Sequence, residues 1–288
     1  MKTLILLLLS ISPLLLLIPR SPPSQNKGFS LQAISADLPF NPAWEGRPMS
    51  SGEESEVAQA LLQPYRHLGD GGQCFSFVSK DDRYVIKFIK QKAFDLPVWM
   101  DRFPLPFLIH WLCEKKKGKR AAKRDRTFQA FKLSFDLLPL ETGLMYVHLN
   151  KTEHLQKTLS FEDAEGNTHR LALDAVAFII QKKVDIASET IDRLMQKGDV
   201  ENAKLAIDRI LALNLRLHQK GFHNRDPNFR SNCGFLKDDA ILIDVGRIAP
   251  GKHESLKAIR KFRDYLSAKH PELLDHFDQS VAKIANCK

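Results

Sequence analysis

The amino-acid sequence predicts an α+β protein in which a strand-rich half precedes a helical half. Three observations carry that prediction. "CFSFVS" (74–79) and "YVIKFI" (84–89) alternate apolar and polar residues around Lys80-Asp81-Asp82, the pattern of an antiparallel hairpin. "GLMYVHL", the hairpin-like "TLSFEDAEGNTHRLAL" with its turn at Glu165-Gly166-Asn167, and "DAVAFIIQKKV" add further extended runs. Residues 201–219 then set Ala203, Ala206, Ile207, Ile210, Leu211 and Leu217 on one helical face, with Gly221 at the expected C-terminal stop.

The 288 residues are 43% hydrophobic and 27% charged, enough apolar material for one sizeable core or two modest lobes, which excludes a disordered chain. A net charge of +9 favours anionic partners without choosing among phosphates, nucleic acid and acidic lipid. Cys74, Cys113, Cys233 and Cys287 stand far apart with no CxxC pair, so buried thiols are expected in place of a zinc set or a disulfide framework. The spacing of His218, His223 and His253 fits no standard zinc site either.

Residues 1–20 carry Lys2 ahead of an apolar run over 4–18, the length of a signal peptide and short for a spanning helix. A membrane-anchored or exported protein is the expectation; a misplaced start codon or a buried core helix is the alternative. Basic residues flank the run on both sides, which leaves the side of the membrane open. Residues 21–55 are rich in Pro, Ser and Gly and read as a linker or wrapping arm, with the folded part beginning near Glu56. Eight of the twelve residues at 115–126 are basic, and the segment continues into Phe128, Phe131, Phe135 and Leu138 at helical spacing. This is a basic helix with one apolar stripe, either a solvated face or a contact for anionic lipid or substrate.

Polar chemistry concentrates at 221–247, "GFHNRDPNFRSNCGFLKDDAILIDVGR". Asp226 lies in a loop, Asn232 follows six positions later, and Asp244 closes the apolar strand "AILID". Phosphoryl transfer needs a carboxylate near the acceptor hydroxyl and an oxygen-rich pair to hold Mg²⁺ against nucleotide phosphates. Upstream, Gly69, Gly71 and Gly72 would let backbone amides close over phosphates, and Lys87 in "VIK" would reach them.

Glycine loop, strand lysine, helix, strands, long helix, Asp loop and D-x-G, in that order over roughly 60–250, resemble the protein-kinase-like superfamily. The nearest branch is the small-molecule kinases, the aminoglycoside phosphotransferases and lipopolysaccharide core sugar kinases. The resemblance implies a two-lobe fold, with an antiparallel-sheet N-lobe over 56–185 and a short helical C-lobe over 186–288. It further implies ATP and Mg²⁺ as cofactors, Asp226 as the catalytic carboxylate, Asn232 and Asp244 as metal ligands, and Lys87 gripping phosphates. Asp125 stands where such kinases offer an acidic partner to the lysine, with Glu114 as a rival. The third glycine of the family loop is Cys74, D-F-G reads Asp244-Val245-Gly246, and no A-P-E motif follows Arg247. These departures favour a small-molecule, sugar or lipid-headgroup acceptor over a docked protein, with no nucleic acid expected. They also raise the alternative of a catalytically inactive, pseudokinase-type module that binds a nucleotide or partner.

Overall fold

The computed structural model describes residues 29–35, 37–91, 107–226, 228–251 and 256–286. The leader, His253 and Cys287 lie outside the described residues, as does the Cys113 side chain. Among the described residues no helix is long and apolar enough to cross a membrane.

The segment read as a linker or arm packs along the sheet: Phe29 meets Phe75, Phe77 and Phe161 edge-on, a one-turn helix, Leu31–Ile34, buries Ile34, and Trp44 is buried beyond it. Its end enters helix α1 (Ser51–Leu61), whose start is fixed by a capping box between Ser50 and Glu53. Helix formation therefore begins five residues ahead of Glu56.

Strands β2 (Cys74–Ser79) and β3 (Tyr84–Ile89) form the hairpin read from the sequence, and β1 (Tyr65–Asp70), which was not read, extends it to a three-strand meander. Helix α2 (Phe107–Leu137) follows, and a one-turn helix, Pro139–Thr142, leads into β4 (Leu144–His148). Then come β5 (Thr158–Glu162), β6 (Thr168–Ala172) and β7 (Phe178–Lys182). The seven strands lie in the order β4-β7-β3-β2-β1-β5-β6. The sheet is antiparallel as expected apart from one short parallel join, β1 to β5, which pairs Tyr65 with Phe161 and Arg66 with Glu162.

Strand β8 (Asp185–Ile186) bridges to the second part, so a division after residue 185 falls inside a strand. Helices α3 (Ala187–Gln196) and α4 (Val200–Gln219), strand β9 (Phe222–Asn224), a one-turn helix Phe229–Asn232, and strands β10 (Cys233–Leu236), β11 (Asp239–Leu242) and β12 (Ile248–Pro250) follow. Helices α5 (Leu256–Lys269) and α6 (Leu274–Asn286) close the chain. The helical part thus carries two small sheets, β11-β10-β8 and β12-β9. Every residue placed on the apolar face of α4 is buried, and Gly221 takes φ +81°, a left-handed stop that glycine adopts without strain.

Side-chain alternation divides the sheet between two cores. Phe75, Phe77, Ile86, Phe88 and Phe178 pack under the arm and α1, while Cys74, Ile89, Val147 and Ile179 join α2 and the helical part in one continuous core. The second core crosses from sheet to helices without a break, which holds the two parts as one body.

Candidate functional site

The face of β3 opposite Ile86 and Phe88 carries Lys87, so the alternation that buries those two points the lysine toward the helical part. Its Nζ donates to Gln181 Oε1 and to the Ile243 carbonyl, each at 2.7 Å. Desolvation is the main cause that pulls its pKa below the ordinary lysine value, opposed by the Asp244 carboxylate nearby. Neither oxygen that Lys87 touches carries a charge. Asp125 is not among its partners, and Glu114 pairs with Lys117 at 3.1 Å on the exposed side of α2.

Gln181 is the residue the sequence did not reveal. Buried on β7, it accepts from Lys87 and donates to the carbonyls of Thr142 (2.6 Å) and Leu242 (3.1 Å), fastening the sheet to β11. Its only sequence signal is a polar residue inside the apolar run "VAFIIQ". Cys74 shares this environment, and burial pushes its thiol up to about 12.

The glycine turn joins β1 to β2. Gly69 follows a register shift in that pairing, and the turn is closed by Gly71 N–H donating to Cys74 O at 2.9 Å. A Cβ on Gly69 or Gly72 would meet no atom within 4 Å, and one on Gly71 only Cys74 O at 3.6 Å; none of the three has positive φ. Neither backbone handedness nor internal crowding demands glycine here. Gln73, also in the turn, reaches across to the Asp244-Val245-Gly246 segment: a Cβ on Gly246 would lie 2.2 Å from its Oε1.

The Asp loop is built by its own polar groups. Asn224 Oδ1 accepts from Asp226 N–H at 3.0 Å, Asn232 Nδ2 donates to Asp226 O at 3.1 Å, and Ile243 N–H donates to Asn232 O at 2.8 Å. These bonds place the loop bearing Asp226 and Asn232 beside the strand end bearing Asp244. His223 is buried, and its Nδ1 hydrogen-bonds Gly251 O at 3.1 Å, a loop-pinning role. Arg247, one residue after Gly246, pairs with the Asp226 carboxylate at 3.1 Å, a contact the sequence reading missed.

Lys87, Asp244, the glycine turn and the Asp226–Asn232 loop therefore gather where the sheet meets the helical part. No family model matches the chain, and no curated protein matches it. Among solved structures it is similar to the bifunctional kinase-methyltransferase WbdD, at 12% identity and a TM-score of 0.39 over 76% of this chain and 47% of that one. A second WbdD structure, at 2.2 Å, gives 13% identity and 0.39 over 76% and 46%. Rv3197 of Mycobacterium tuberculosis in complex with erythromycin gives 14% and 0.34 over 81% and 60%. The chain spans about half the length of the WbdD structures it matches.

Proposed function

We propose that this chain is a phosphotransferase of kinase-like fold that uses ATP and Mg²⁺ to phosphorylate a hydroxyl of a small molecule, sugar or lipid headgroup. The observation that carries the reading is Lys87, a desolvated ammonium held by two neutral oxygens. An inward-facing cation without a carboxylate partner is costly, and a phosphate supplies the missing charge. The glycine turn supports the same reading: three side-chain-free positions that the chain's own packing does not require leave room for a ligand to lie against backbone amides.

The donor chemistry fits the cofactor, since Asp244 and Asn232 offer only oxygen to a hard cation. Bound ATP and Mg²⁺ supply the phosphoryl group and neutralise charge on the phosphates. Lys87 grips phosphate oxygens, Asn232 Oδ1 and the Asp244 carboxylate take the metal, and Asp226 orients or deprotonates the acceptor hydroxyl. A thermal-shift titration of the full chain with ATP, with and without Mg²⁺, tests the reading independently of the acceptor. A metal-dependent rise in Tm is expected, and no response to ATP in either condition overturns it.

The second reading, a nucleotide-binding module without turnover, is favoured by one contact. The Arg247–Asp226 pair neutralises the carboxylate that would take the proton. Asp226→Asn separates the two. An enzyme loses turnover by about 10²-fold or more while keeping its nucleotide-induced Tm shift. A silent module shows that shift with no turnover in wild type.

A further inference from the structure

The β9–β12 ladder continues one rung past the pairing of Asn224 with Ile248. Arg225 N–H donates to Arg247 O at 3.1 Å, which sets two arginines directly opposite each other. Opposed residues of an antiparallel pair share a face, and like charges there repel. Arg247 is neutralised by Asp226. Arg225 is exposed, and among the described residues its guanidinium has no hydrogen-bond or ion-pair partner. Arg209, Arg230 and Arg263 of the helical part are engaged by the chain itself: Arg209 pairs with Asp238, Arg230 lies over the Tyr265 ring, and Arg263 pairs with Asp278. The Arg225–Arg247 rung holds two cations against one carboxylate and is short of one negative charge.

Helix α2 brings more positive charge to the same region. It packs against β12, and its Phe131 ring lies against Gly246, where a Cβ would stand 3.4 Å from Phe131 Cε1. Arg124 is on the face of Phe131, two turns and about 10 Å back along the axis, with Arg120 one turn further. Both are half-buried, whereas Lys115, Lys116 and Lys119 are exposed, so this stripe is turned toward the body. Arg124 Nε is buried with no hydrogen-bond partner. A guanidinium nitrogen left unpaired is costly, and an oxyanion is the group that satisfies it best.

We propose that the acceptor is itself an anion, a small molecule whose hydroxyl stands beside a phosphate or carboxylate group that Arg225 and Arg247 hold; this rests on the phosphotransferase reading. A cationic acceptor is repelled from this side of the site. The acceptor anion and Asp226 compete for Arg247, and an ion pair with side chains 49% and 34% exposed is weak enough to exchange. The exchange leaves the Asp226 carboxylate free to meet the hydroxyl. In the transfer the hydroxyl oxygen bonds the γ-phosphorus of ATP, the bond from that phosphorus to the bridging oxygen breaks to release ADP, and the hydroxyl proton passes to Asp226. The Arg247–Asp226 contact is then the resting state of an enzyme, opened by its own substrate.

The test saturates the full chain with Mg²⁺ and a non-hydrolysable ATP analogue, which occupies the Lys87 side. Inorganic phosphate or acetate is then titrated against chloride at equal ionic strength, with Tm as the readout. A further rise in Tm is expected, and the tighter of the two anions tells a phosphorylated acceptor from a carboxylated one. Arg225→Gln and Arg247→Gln should each weaken the anion by about tenfold. Asp226→Asn should tighten it by about threefold, because the internal competitor for Arg247 is gone. A purely structural arginine pair would show no such gain. Arg225 is exposed, so Arg225→Gln is expected to fold, and urea unfolding checks it. A nucleotide response with no anion response overturns the proposal, as does an anion response unaltered in both arginine variants or an Asp226→Asn variant that binds the anion no tighter than wild type. No response to the nucleotide analogue is the failure of the phosphotransferase reading, and the acceptor assignment falls with it whether or not phosphate binds.

Discussion

Lys87 and Gln181 act as a pair, and each predicts the behaviour of the other. With its pKa depressed chiefly by desolvation, Lys87 loses its proton at lower pH than an exposed lysine. Binding of an anionic nucleotide needs the protonated form, so affinity should hold below that depressed pKa and fall as pH rises through it. A nucleotide Kd measured across alkaline pH checks the sign. Gln181→Leu leaves the ammonium and two carbonyls short of partners and should cost about 1–3 kcal/mol by urea unfolding. Gln181→Glu is a sharper variant, because a carboxylate beside Lys87 satisfies its charge internally and should weaken nucleotide binding. Gln181 was not legible because its role depends on strand order: β7 lies beside β3, ninety-four residues apart in sequence from Lys87. Asp125 is not among the hydrogen-bond partners of Lys87, and helical spacing gives a period but not which face of α2 turns toward β3. Arg247 and Gln73 escaped notice because side chains on turns and loops leave no periodic trace.

Whole elements were more legible than individual contacts, because strands and helices leave periodic signatures in the chain. The β2–β3 hairpin, the 165–167 turn and the full length of α4 follow from alternation and helical spacing alone. The parallel β1–β5 join did not, because strand pairing leaves no period in the chain, nor did the two small sheets of the helical part, whose strands of two to four residues are too short to show one. The join between the two parts can be tested at Gly234 on β10, where a Cβ would lie 2.4 Å from Val184 Cγ2 and 2.7 Å from the backbone oxygen of Asp185. The backbone cannot yield as a flexible side chain does, so Gly234→Ala should lower stability by about 1–3 kcal/mol in a denaturant titration. Helices α3 and α5 are tied by Asp192, which accepts from Tyr265 at 2.6 Å and Lys269 at 2.8 Å and contacts the His270 ring at 2.6 Å. Burial alone would raise its carboxyl; these partners bring it down to about 2. Its stabilisation is present above the ordinary carboxylate pKa and lost as pH falls toward 2. Wild type and Asp192→Asn should therefore differ in Tm at neutral pH and converge in acid.

At the scale of the whole molecule, one core runs from the sheet into the helices, and the polar cluster around Lys87 and Asp244 sits at that junction. The central claim is that this junction binds a nucleotide through a metal. Thermal-shift titration of the full chain with ATP, with and without Mg²⁺, in wild type, Lys87→Met and Asp244→Asn, tests it most directly. The account predicts a Mg²⁺-dependent rise in Tm for wild type, most of its metal dependence lost in Asp244→Asn, and no rise in Lys87→Met. A wild-type Tm indifferent to ATP at millimolar concentration, with or without Mg²⁺, would contradict it and leave the three glycines as a hairpin turn.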